Sequence, residues 1–154
     1  MIGRCLALSR DCSGSIAIEF SMVAPLLVIM LMAIIQFGLL FNNMSVLTNA
    51  TASGALLFSQ GRSFSTPYTS AVSAIYTTAT TLNTGSLTIT ISVDGTTCAS
   101  DSACQAAFGS GGVPATVTVT YPCPLVFSAS TLDWIGINTS SFCPLSSTMM
   151  AVGQ

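Results

Sequence analysis

Six cysteines and five carboxylates are the side chains with which this 154-residue chain could do chemistry; it has no His, no Lys and three Arg. That inventory excludes most catalysis. Without His or Lys there is no ordinary triad, no Schiff base and no imidazole metal ligand. Asp94 and Asp101 share a Gly/Ser-rich stretch, where turn formation explains Asp94 better than a catalytic pair does. No catalytic, cofactor-binding or metal site is expected. Asp133-Trp134 reads as a contact point or as core filling. The patterns at Asn49 and Asn138 match a glycosylation acceptor, as chance allows in so Ser/Thr-rich a chain. Cys98, Cys104, Cys123 and Cys143 lack both the short zinc-type spacing and any His. In a small, loop-rich region they read instead as two disulfides. Three pairings are open. Cys98 with Cys104 and Cys123 with Cys143 are favoured, because each closes a short local loop; the second is worth about 3 kcal/mol of chain entropy. Cys5 and Cys12 stand apart near the N-terminus and read as thiols. The remaining acid of interest is Glu19, which opens a long apolar stretch and has Gly14 five residues before it.

The composition shows where such residues must be held. Apolar residues make up 51% of the chain, charged residues 5%, and the formal net charge is −2. Ser and Thr supply most of the remaining polarity. Three Arg cannot neutralise a phosphate track, so nucleic acid is not a partner. Disorder goes with low hydrophobicity and high net charge, the reverse of what is seen here. A mean hydropathy of +0.76 points to a membrane segment.

No charge occurs between Glu19 and Arg62, and Phe20 to Phe41 is apolar apart from Ser21, Pro25, Gln36 and Gly38. As a helix this stretch is about 33 Å long, enough for a hydrocarbon core of about 30 Å. Arg4 and Arg10 precede it, so the positive-inside rule places the N-terminus in the cytoplasm and the bulk of the chain outside. The stretch is too long for a secretory signal, and no small-x-small site closes it. The helix is therefore expected to stay on the mature protein.

The order Gly14-Ser15-Ile16-Ala17-Ile18-Glu19-Phe20 resembles the type IV prepilin processing site, Gly-x-x-x-x-Glu-Phe. The same residues with Ser21-Met22, Pro25-Leu26-Leu27, Gln36-Phe37-Gly38, Leu47-Thr48-Asn49-Ala50 and Gly54-Ala55 resemble TadE-like pseudopilins of the tight-adherence (Tad/Flp, type IVb) pilus system. That resemblance covers about residues 14 to 55. The family usually carries a charged pair after Asn-Ala, where this chain has Thr51, Ala52 and Ser53. The resemblance implies that a prepilin peptidase cuts between Gly14 and Ser15 and that Glu19 and Phe20 serve assembly. An unpaired Glu in lipid is penalised, and a neighbour's free N-terminal amine relieves that penalty. It also implies partners: other pilins and pseudopilins, an inner-membrane pilus assembly platform and membrane lipid. Placement in a bacterial inner membrane follows, single-pass, with the C-terminal domain periplasmic or extracellular and possible presence in the pilus.

Beyond the membrane the helical period continues through Val46, Leu47, Ala50, Gly54, Leu57 and Phe58, with Gly61 as the expected C-cap. That stripe reads first as the core edge of an exported domain, and second as a packing face for another pilin helix. Pro67 starts a second helix over Tyr68 to Leu82. The period then changes to two over Leu87 to Val93 and over Ala115 to Tyr121, predicting two strands of an antiparallel sheet. Asp94-Gly95 begins a connection of about 20 residues, otherwise loose, that a Cys98–Cys104 disulfide would staple. Leu145 to Val152 is a candidate third strand whose alternation Met149-Met150 interrupts. The fold expected is α+β: a long N-terminal transmembrane helix continuing into a small exported domain with a second helix and an antiparallel sheet of two or three strands. Its parts are a leader over 1–14, the membrane helix and its extension over 15–61, and a disulfide-stapled domain over 62–154. The function expected is a membrane-anchored pseudopilin or minor pilin. The alternatives are a single-span periplasmic binding or sensory module that is never processed, and, less consistent with the missing His and Lys, a tethered enzyme.

Overall fold

The computed structural model describes residues 13–61, 65–109, 112–122 and 144–152, and within the first helix the side chains from residue 17 onward. In chain order the elements are α1 (Ser13–Ser59), α2 (Pro67–Thr78), a short 3-10 turn (Thr84–Ser86), β1 (Thr88–Val93), β2 (Thr96–Cys98), α3 (Asp101–Phe108), β3 (Pro114–Pro122) and β4 (Pro144–Val152). The chain divides into two compact units, Met1–Phe37 and Gly38–Gln154.

In the first unit α1 is apolar on every side, and Phe20, Met22, Leu26, Ile29 and Ile34 are all exposed. A helix apolar all round belongs in a core or in a bilayer. None of the apolar window here is buried by the protein, and the span Ala17–Ser59 is long and apolar enough to cross a membrane. Pro25 lies inside the helix, which lipid-embedded helices tolerate better than soluble ones. The Ser21 hydroxyl folds back to donate to the Ile18 carbonyl at 2.8 Å.

In the second unit the same helix changes character. Leu47, Ala50, Thr51, Ala55 and Phe58 are buried along one face, which establishes the core-facing reading of the stripe. Thr51 is fully buried yet satisfied, its hydroxyl donating to the Leu47 carbonyl at 2.7 Å. Against this face lies α2, with Pro67, Ala71 and Ile75 buried. Gly54 permits the approach: a Cβ there would sit 2.5 Å from Ile75 Cγ1 and 3.4 Å from the Ala71 carbonyl oxygen. The Ser53 and Thr78 hydroxyls, 3.0 Å apart, link the same two helices. Gly61 is not in the left-handed conformation that a glycine C-cap adopts. Its missing Cβ instead makes room for Pro67, whose Cβ would be 2.5 Å away. The second helix also stops short of the expected Leu82. It ends at Thr78, with the Ala79 N–H donating to the Ile75 carbonyl. Thr77, Thr78, Thr80 and Thr81 are weak helix formers, although Ala79 and Leu82 remain buried in the core.

The sheet has the order β2-β1-β3-β4 and is antiparallel throughout. It therefore has four strands rather than two or three. Ile91 faces Val117 and Val93 faces Ala115. These side chains, with Val119 and Tyr121, close the core from the sheet side. The opposite face carries Thr90, Thr118 and Thr148, and the last two hydroxyls are 3.1 Å apart. β4 continues the alternation through the two methionines: Met149 packs against the core while Met150 is exposed.

The connection after β1 carries a tight turn, a short strand and a helix. Asp94 and Gly95 have φ of 49° and 78°, the left-handed pair of a two-residue hairpin turn, for which Asp-Gly is a favoured sequence. The turn leads into β2 and then α3. The Ser100 hydroxyl caps α3 by accepting from the Ala103 N–H at 3.3 Å. Gly109 closes the helix with φ of 51°. Phe108 on α3 meets Phe58 on α1, with ring centroids 5.0 Å apart.

α3 is anchored to α2 by polar contacts. The Asp101 carboxylate accepts from the Thr69 N–H at 2.9 Å and from the Thr69 hydroxyl at 2.6 Å. Thr69 lies in the first turn of α2, where backbone donors lack helical partners. The N-cap residue Thr66 supplies no side-chain cap bond to the helix backbone, so Asp101 caps α2 from another element. Gln105 adds a bond from its side-chain amide to the Ser65 carbonyl at 2.8 Å.

Two predictions follow from this packing, both for full-length protein in nonionic micelles. Gly54→Ala gains helix propensity of about 1 kcal/mol but must displace Ile75, and overpacking costs about 1–3 kcal/mol. A net loss of stability is expected, smaller when Ile75→Ala is also present; a double-mutant cycle of denaturant midpoints measures it. The second concerns acid. The bonds from the Thr69 hydroxyl and then the Thr69 N–H hold the Asp101 carboxyl below the ordinary carboxylate value. Because the folded-state value is the lower one, the stabilisation is complete above the unfolded value of about 3.9 and is lost as pH falls through the folded value. Asp101→Asn should therefore be less stable than wild type at pH 6, and the gap should begin to close below about pH 4 and vanish only below the folded value, read as unfolding midpoints across a pH series.

Candidate functional site

The residues expected to matter most lie at the start of α1. Gly14 and Ser15 fall within this helix, which begins at Ser13. Glu19 and Phe20 follow on the same helix with exposed side chains. Five residues of helix separate Gly14 from Glu19 by about 7.5 Å along the axis. Neighbouring Ile18 and Phe20 are 66% and 67% exposed, so the carboxylate is set among apolar side chains that the chain itself leaves uncovered. Among the described residues there is no basic side chain, since Arg4, Arg10 and Arg62 all lie outside them. The described part of this segment contains no nucleophile–base pair.

Of the cysteines, Cys98 and Cys104 are bonded to each other, with Cα atoms 5.2 Å apart. Both are buried, and their bond ties β2 to α3. Cys5, Cys12, Cys123 and Cys143 lie outside the described residues, as do Asp133, Trp134 and Asn138. The two acids weighed as a catalytic pair have separate structural duties, Asp94 in the hairpin turn and Asp101 on α2. No group of three or more metal-binding side chains occurs among the described residues. A cleft lined by Ala52, Ala55, Leu56 and Ser59 of α1 and by Met149 to Val152 of β4 is apolar in character. Its one hydroxyl, that of Ser59, donates to the Leu56 carbonyl at 2.7 Å.

Asp101 is the residue whose importance the sequence did not show. Ser100-Asp101 before Ala103, Cys104, Ala107 and Phe108 carries a helix-start signal and a helical period, but nothing local points to Thr69.

No curated protein and no solved structure matches the chain. A family model described as TadE-like protein matches residues 14–56. The matched segment opens on Gly14, contains Glu19 and Phe20, and runs through Gly54 into the part of α1 that packs the core. On that match, residues 14–56 make this a chain with a TadE-like N-terminal segment.

Proposed function

We propose that the protein is a membrane-anchored pseudopilin or minor pilin that takes part in assembling a Tad/Flp-type adhesive pilus. The observation that carries this reading is the family match opening on Gly14, with Glu19 five residues on, exposed on an apolar helix. In this reading residues 1–14 are a leader, and a prepilin peptidase cuts the Gly14–Ser15 bond on the cytoplasmic side. The helix stays in the inner membrane and the C-terminal domain lies outside it. The role is structural, not catalytic; partners are other pilins and pseudopilins, the inner-membrane assembly platform and lipid.

The chemistry of Glu19 explains why cutting and assembly belong together. A carboxylate at the centre of a membrane helix costs about 2.5–3.5 kcal/mol on insertion scales, and less near the headgroups. Cutting creates a free amine on Ser15. That amine on one subunit and Glu19 on its neighbour form an ion pair, which relieves the penalty when the helices come together. An uncut chain has no such amine at that depth.

N-terminal sequencing of the protein extracted from its native membrane tests the processing step. A start at Ser15 is expected, with slower cutting in Gly14→Ala; wild-type protein still beginning at Met1 refutes the pilin reading. Glu19→Ala tests the pairing. Cutting should remain largely intact, membrane retention should be unchanged or improved, and co-purification of partner pilins should fall along with piliation. Undiminished co-purification and normal piliation would remove Glu19 from assembly.

A further inference from the structure

We infer that the Cys98–Cys104 bond is a redox latch: as a disulfide it holds α3 on α1 and α2, and as a dithiol it lets α3 leave while the rest of the domain stays folded. α3 is poorly able to hold itself. It has eight residues, and isolated helices shorter than about 12–15 residues are marginal in water. β2 has three residues and is joined to the sheet through Ile91, Ser92 and Val93 of β1. The bond between Cys98 and Cys104 ties these two short elements together. On the core side Phe108 packs on Phe58 of α1. Towards α2 the bonds from Thr69 to Asp101 and from Gln105 to Ser65 are exposed, where water competes for both partners and each bond nets little.

The rest of the sheet is built differently. β3 pairs with β4 from Pro114↔Val152 to Pro122↔Pro144, and β1 pairs with β3 from Thr88↔Thr120 to Val93↔Ala115. Neither ladder passes through β2 or α3, and Ile91, Val117 and Val119 share their core with Leu47 and Ile75. Opening therefore has local consequences. Asp101 rides on α3, so the cap on the first turn of α2 leaves with it. Phe108 leaves too and uncovers Phe58, which is fully buried in the closed form. Both sulfurs are also buried in the closed form. An attacking thiolate must reach a sulfur, so α3 has to undock before the bond is made or broken. Redox state and the position of α3 are coupled by that requirement.

Closing needs an oxidant, and a disulfide-bearing thiol oxidoreductase is the class required. One cysteine thiolate attacks the oxidant's disulfide, forming a mixed disulfide and releasing one of the oxidant's sulfurs as a thiol. The second thiolate displaces the other sulfur. The two cysteines lose two electrons and two protons, and the oxidant leaves as a dithiol; a dithiol reductant runs the same sequence backwards. That α3 is fastened only after crossing the membrane rests on the proposed export of the domain. The latch itself does not, and is tested on purified protein.

The test uses full-length protein in nonionic micelles. Amide hydrogen exchange is followed by mass spectrometry with and without dithiothreitol, and alkylation of a denatured aliquot reports the state of Cys98 and Cys104. In the reduced protein, exchange over residues 101–108 and over the first turn of α2 should quicken by about tenfold or more, with the β3 and β4 amides unchanged. Asp101→Asn at neutral pH should lower the denaturant midpoint of the oxidised protein and leave that of the reduced protein where it was. Cys98→Ala with Cys104→Ala separates this bond from the other cysteines: α3 should already exchange fast, and dithiothreitol should add nothing there. The wild-type arm decides the matter even where that variant folds poorly. Unchanged protection of α3 in protein whose Cys98 and Cys104 are reduced would overturn the inference. So would loss of β3 and β4 protection together with that of α3, or a bond that opens only as the whole domain unfolds, since the disulfide would then staple the domain as a unit.

Discussion

One helix has to meet two different solvents, and the rest of the molecule follows from that constraint. Through Phe41 the surface of α1 is apolar in all directions, as only lipid or a protein core allows. From Leu47 it is apolar along one face, which an α+β domain covers. Between them Asn42, Asn43 and Ser45 bring polarity back without a single charge. Within the second unit the domain packs on the helix through Gly54 against Ile75 and Phe58 against Phe108.

The domain is held with little help from charge. The described residues beyond α1 carry two acids, Asp94 and Asp101, and no base. Hydroxyls replace ion pairs: Thr48 and Thr51 donate to carbonyls one turn back, and Ser53 meets Thr78 across helices. Such bonds each contribute on the order of 1 kcal/mol, and unlike surface ion pairs they are not screened by salt. The one carboxylate that joins two elements does so by accepting backbone and hydroxyl protons, so the same economy extends to Asp101.

What the sequence discloses depends on whether a pattern lasts long enough to repeat. The apolar run of α1, the period-two strands around Ile91 and Val117, and Asp94-Gly95 are local and sustained, and the structure places them where the pattern does. β2 has three residues and α3 eight, too few for a period to declare itself within a stretch that otherwise resembles a loop. The early end of α2 turned on accumulated threonines, and Gly61 on a contact with Pro67 that no local rule describes. At the N-terminus Gly14 and Glu19 are legible because their spacing is itself the signal. The bond between Asp101 and Thr69 crosses 32 positions, and only the packed fold brings those residues together.

β4 occupies one end of the sheet order and is nine residues long, uncharged, and has proline only at its first position. Natural edge strands carry lysines, bulges or internal prolines that discourage pairing with another chain. None of those devices is in this strand, and a formal net charge of −2 gives the whole chain weak mutual repulsion. The consequence is colloidal. An edge of that kind is a template for pairing with another chain, so self-association is the expected hazard once the protein is freed from lipid and concentrated.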